Sequence, residues 1–318
     1  MNDITDSDKD VWPALPFPEW KETCATLHMW TQIVGKVRLA LAPWTNHSWH
    51  VTFYLTARGL TTSPIPFGAR VFQIDFDFVN HVLRIQTGDG REKVITLALK
   101  SVAKFYSEVM NALRELDLAV EINTTPNEVD PAIPFEQNEK NSSYDPEYAN
   151  RFWRVLSQSD RVFKEFRAEF CGKCSPVHFF WGSFDLAVTR FSGRRAPQHP
   201  GGVPHLPDAV TREAYSHEVS SLGFWPGNEM MPAPIFYSYA YPEPKGFPDA
   251  KVQRSASYNT QLKEFVLPYD GVRQAAAPDQ ALLDFARSTY DAASTLGNWD
   301  RAALVEVKPD LHSPRQHR

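Results

Sequence analysis

The stretch "CSPVHFFWGSFDLAVTRFSGR", Cys174 to Arg194, sets an imidazole, a carboxylate and a guanidinium among apolar residues of strand-forming type. Those groups are His178, Asp185 and Arg190, and "EAYSHE" further along adds His217 and Glu218. Two imidazoles and two carboxylates could act as a general acid and base, or hold a divalent metal with open positions. The catalytic candidates are therefore His178, Asp185, His217 and Glu218, and the metal candidates His178, His217 and Glu218. Parity works against a single cluster. Seven residues separate His178 from Asp185, so an unbroken strand sends them to opposite faces. Gly182, between them, could supply a bulge that re-aims one. His217 and Glu218 read equally well as the first turn of a short helix.

The run "CGKCSPVH" offers Cys171, Cys174 and His178 to zinc, but no second ligand pair at similar spacing follows. A strand beginning there would also carry His178 away from the turn that holds the cysteines. Incidental thiols are the better reading.

A second set of candidates belongs to ligand binding. "HVTFYLTAR" alternates, with Val51, Phe53 and Leu55 on one face and His50, Thr52, Tyr54 and Arg58 on the other. "VFQIDFDF" sets Gln73, Asp75 and Asp77 opposite Phe72, Ile74 and Phe76. Such a polar face commonly meets solvent. Packed against another sheet it would have to be hydrogen-bonded or filled by a ligand. His50, Tyr54 and Arg58, with Trp181 and Arg190 from the later strand, are the ligand-orienting candidates. His28, Gln32 and Lys36 make a polar stripe at helical spacing, expected to be a solvated face.

The elements that must position these groups come in a repeated order. A helix over 22–41 precedes the strands at 50–58 and 71–78, a hairpin turning at Gly88-Asp89-Gly90, and a helix capped by Ser101. A helix over 147–170 precedes the Cys174–Arg194 strand, strands at 235–241 and 261–269, and a helix over 279–295. The pattern predicts an α+β fold of two similar halves, each with antiparallel strands flanked by helices, and an internal duplication. The halves are 12–122 and 147–300, joined by a linker at 123–146, with disordered tails at 1–11 and 306–318. Residues 192–208, rich in Pro and Gly, form a long loop.

Composition narrows the class. The chain has 318 residues, 42% hydrophobic, and a net charge of -5, so it can bury a large core and has no basic footprint for nucleic acid. No run of 18 apolar residues crosses a membrane, the N-terminus lacks a signal peptide's pattern, and three cysteines make no disulfide framework. The expected setting is the cytoplasm. Phosphate-cradling glycine loops, nucleophile elbows and paired-His zinc helices do not occur.

"LHMWTQIVGKVRLAL", "WHVTFYLTARGLTTSPIPFGARVFQIDFDF", "SPVHFFWGSFDLAVTRFSGR" and "EAYSHE" together resemble a bacterial family of uncharacterised proteins, domain-of-unknown-function family 5996, over Trp12 to Asp300. The family's pattern includes "GKCSPVHFFWGS" but calls for no cysteine at Cys171. The resemblance implies no activity, cofactor or catalytic residue. On the residues alone, the expectation is a protein that binds a small polar or anionic molecule between its halves, as a metal- or acid/base-dependent enzyme or without catalysis. The alternative is an interaction module whose polar strand faces are solvated.

Overall fold

A computed structural model describes residues 11–305. The tails expected at 1–11 and 306–318, Val11 apart, lie outside the described residues. The first half opens with helix α1 (Phe17–Leu41) and, after a single turn at Asn46–Ser48, runs through six strands. These are β1 (Tyr54–Thr56), β2 (Gly59–Thr61), β3 (Ile65–Phe67), β4 (Arg70–Asp77), β5 (Val82–Thr87) and β6 (Glu92–Thr96), followed by helix α2 (Val102–Glu115). The second half opens with α3 (Pro146–Ala168), then β7 (His178–Phe180), β8 (Asp185–Arg195), α4 (Asp208–Ala214), β9 (His217–Trp225) and β10 (Ile235–Tyr241). It closes with β11 (Ser257–Asn259), β12 (Glu264–Pro268), α5 (Tyr269–Arg273), α6 (Pro278–Leu296) and α7 (Arg301–Leu304). The fold is α+β, with two antiparallel sheets in the orders β1-β2-β4-β5-β6, β3 pairing β4, and β11-β12-β10-β9-β8-β7.

The sheets meet edge to edge rather than face to face. Phe53 and Phe179 exchange both backbone hydrogen bonds, at 2.8 Å each, so β1 and β7 are neighbours across a seam. One apolar cluster runs through both halves, with Trp20 against Phe152, Trp30 stacked on Phe105, and Phe163 against Phe236. Each sheet turns one face to this core. In β4 the side chains of Phe72, Ile74 and Phe76 are buried while Gln73 and Asp75 stay half-buried, as period-2 alternation requires. In β8 the core side is Leu186, Val188 and Arg190; the opposite face carries Asp185, Ala187, Thr189 and Phe191.

Two strands predicted whole are broken. Tyr54–Thr56 alone is strand in the 50–58 stretch; Trp49–Val51 is turn. Cys174–Arg194 is not one central strand but a hairpin: β7 and β8 pair antiparallel through Phe180 and Asp185, and Trp181–Phe184 is the turn between them, with Phe184 at φ 61°. His217 and Glu218 open β9 rather than a helix. The helices at α2, α3 and α6 match expectation, and Ser101 Oγ accepts the Lys104 amide as an N-cap.

The polar stripe of α1 is buried, not solvated. Gln32 is fully covered and clamps Asn127 through backbone bonds of 2.8 Å in both directions. Lys36 donates to Asn127 Oδ1 at 2.6 Å, and His28 Nε2 meets the Gly182 carbonyl at 2.7 Å. The stripe thereby docks both the 123–134 segment and the β7–β8 turn. Phe135, Asn138 and Tyr144 are buried as well, so the 123–146 connection lies on the core rather than hanging free.

Candidate functional site

The hairpin turn settles the parity problem. His178 pairs with Ala187 and Phe180 with Asp185, which puts His178, Phe180 and Asp185 on one face of the second sheet, the face away from the core. His178 is 1% exposed and Asp185 is 7% exposed. Phe180 stands between them, its ring 4.7 Å from that of His178. His217 is elsewhere: it opens β9 opposite Arg195, ten residues along β8 from Asp185. Glu218, on the other face of β9, is held by Arg194 at 2.7 Å and by Ser192 at 2.8 Å. The four catalytic candidates therefore do not form one cluster. Among the described residues no three His, Cys, Asp or Glu side chains converge as a metal site, and Cys171 and Cys174 are free thiols.

The ligand candidates divide in the same way. Arg58, in the β1–β2 turn, binds Asp77 at 2.8 Å. Asp77 also accepts the Val79 and Asn80 amides, and these bonds, against the opposing desolvation, hold its carboxyl below the usual range. Arg190 faces the core, its guanidinium 3.4 Å from the Phe166 ring centroid and 4.3 Å from that of Tyr290, and donates to the Phe166 carbonyl. It is a cation stacked among rings beneath α3 and α6. Trp181 fills a notch at Gly35 of α1 and donates to the Val51 carbonyl at 2.8 Å. Each of these three has a hydrogen-bond partner within the protein.

Tyr54 and His178 remain, one on each side of the seam, with ring centroids 6.4 Å apart. Sequence reasoning did not single out Arg38, which joins them. The Arg38 guanidinium is 5.8 Å from the Tyr54 ring and donates to the Thr52 carbonyl; it is 9% exposed. Its Nε has no hydrogen-bond partner, and neither has His178 Nδ1. Burial first, then the Arg38 charge, pushes His178 down to about 3, so the imidazole is neutral at physiological pH.

One more cation, Lys173, and several imidazoles continue along this wall. Trp49 lies 6.4 Å from His178, and the Lys173 ammonium is 5.5 Å from the Trp49 ring. Lys173 donates to His47 Nε2 at 2.7 Å, which makes His47 Nδ1 the protonated nitrogen facing the Ala214 carbonyl at 3.1 Å. The His217 ring stands 6.2 Å from that of His47, and the His50 ring lies 4.8 Å from that of Trp44, tilted by 48°. Burial lowers His47, His50 and His217; Lys173 lowers His47 and His217 further, and Arg38 lowers His50. Glu213 is the carboxylate that opposes this field, through its bond to the His47 amide at 2.6 Å. The arrangement suits an anion. Its sequence signal was weak because Arg38 lies on α1, the seam strand on β7, and nothing local couples them.

No curated protein and no solved structure matches the chain. A family model described as a family of unknown function, DUF5996, matches residues 12–306, and the chain belongs to that family.

Proposed function

We propose that this member of a family without an assigned activity binds a small anion at the seam between its halves, with Arg38, His178 and Tyr54 as the contacting groups. The observation that carries the reading is the pair of unpartnered buried nitrogens, Arg38 Nε and His178 Nδ1, on side chains that both neighbour half-buried Tyr54. A buried guanidinium without a carboxylate carries a desolvation penalty that a phosphate or carboxylate in bidentate contact would offset. Neutral His178 supplies one more polar contact, as donor or acceptor according to tautomer. Lys173 extends the positive field without entering the first contact, and His47, a neutral imidazole, accepts its hydrogen bond.

The geometry supports binding more directly than catalysis, since His217 and Glu218 stand apart from His178. The experiment is calorimetry with inorganic phosphate, sulfate and simple mono- and dicarboxylates. At least one should bind and raise the melting temperature; a hundredfold excess over Kd stabilises by about 2.7 kcal/mol. Arg38→Met should abolish the effect. If none of these anions binds the native protein, or Arg38→Met binds them equally well, the seam is a structural contact and the interaction-module reading gains.

A further inference from the structure

We propose a second binding site on the same sheet face, beyond Phe180, where Asp185 and a ladder of tyrosines accept an organic cation, a primary or methylated ammonium. The geometry begins with a missing side chain. Tyr237 on β10 is paired with Gly223 on β9, and Gly223 with Ala187 on β8. A Cβ on Gly223 would stand 2.3 Å from the Tyr237 ring, so the ring lies across that glycine. From there its hydroxyl reaches Asp185 Oδ2, two strands away. Asp185 Oδ1, on a side chain more than nine-tenths buried, has no partner.

The surroundings are acidic and aromatic. Tyr239 follows Tyr237 on the same face of β10, with ring planes 14° apart and centroids separated by 6.1 Å. Tyr215, from the segment before β9, donates its hydroxyl to Tyr239 at 3.0 Å. Glu264 on β12 feels the Asp185 charge, and Asp185 feels Glu128, which is held by Ser183 at 2.8 Å beside the β7–β8 turn. Among the described residues, no Lys or Arg forms an ion pair with any of these three carboxyls. Burial therefore pushes Asp185 and Glu264 each up to about 7, Tyr237 pulling Asp185 down in part.

A site with uncompensated carboxyls and several π faces is complementary to a soft, weakly hydrated cation. A metal ion is a poorer fit, since no three of its usual ligand types converge here. The site stands on different residues from the seam, so the two readings succeed or fail independently.

The test is calorimetry on the whole protein at pH 8 with n-butylamine and choline as probes, and uncharged n-butanol and glucose as comparisons. At least one amine probe should bind, while the neutral compounds should not. Asp185→Asn keeps the side-chain shape and a carbonyl for Tyr237; with its fold verified by circular dichroism, it should weaken amine binding at least tenfold. Glu264→Gln, on a half-buried edge-side strand, should weaken it severalfold. Equal binding of butanol or glucose, undiminished amine binding by folded Asp185→Asn, or no amine binding by the native protein would each overturn the proposal.

Discussion

Asp185 holds a carboxyl where ionisation is unfavourable, and that has a measurable consequence for stability. Its acid form persists to about pH 7 in the folded protein, against a reference of 3.8 when the chain is unfolded. Between those values the folded state binds the extra proton, so this group's contribution falls as pH rises from about 4 to 7 and is level above. His178 acts in the opposite sense: its folded value is depressed to about 3 from 6.5, so its contribution falls as pH drops through that interval. Comparing native protein with Asp185→Asn separates the two. The variant should be more stable relative to native at pH 8 than at pH 4, by up to about 4 kcal/mol, in urea unfolding at both values. An equal difference at both values would show that Asp185 is ionised in the fold at little penalty. The sequence marked Asp185 as a candidate without showing its partner. That partner is Tyr237, 52 residues on. That contact depends on the register of β8, β9 and β10 and on Gly223, and no local period encodes it.

At the scale of single elements, what the sequence showed and what it hid follow from the same rule. Alternation identified β4, whose one face is covered and the other half-open, and the Gly88-Asp89-Gly90 turn marked the β5–β6 hairpin. It failed at Cys174–Arg194 because the turn residues Trp181–Phe184 include two large aromatics, and Phe184 takes a left-handed conformation without being glycine. The His28, Gln32 and Lys36 stripe was misread because a helix face covered by a polar connection looks in sequence like one covered by water. Gly35 belongs to the same interface. Ordinarily Gly→Ala inside a helix stabilises by about 1 kcal/mol. Here the new methyl would stand 2.4 Å from the Trp181 indole, itself fixed by its bond to Val51. Overpacking of that kind costs about 1–3 kcal/mol. Gly35→Ala should therefore lower the melting temperature; a rise would mean that Trp181 moves aside without loss.

The whole molecule turns on the seam. Helix, antiparallel strands, helix occurs twice, and on that repeated order we propose that the halves descend from one duplicated unit. They are not, however, arranged to stand alone. Trp20 and Phe152 bring α1 against α3, Trp181 from the second half occupies the notch at Gly35 in the first, and the Arg38 charge acts on His178. Separation would expose these aromatic surfaces and free two strand edges at once, each open to pairing with other chains. The 123–146 connection adds Asn127 clamped to Gln32 and Phe135 in the core, whereas most of 196–207 is exposed. Limited proteolysis should therefore cut first within 196–207 and leave 124–143 intact until the fold opens. Chains covering 11–145 and 146–305, made separately, should each lack a cooperative thermal transition. Produced together, they should copurify and recover the near-ultraviolet circular dichroism of the intact protein, because the seam needs packed contacts from both sides and no peptide bond between them. An independent cooperative transition in either fragment would show that each sheet and its helices hold a sufficient core of their own.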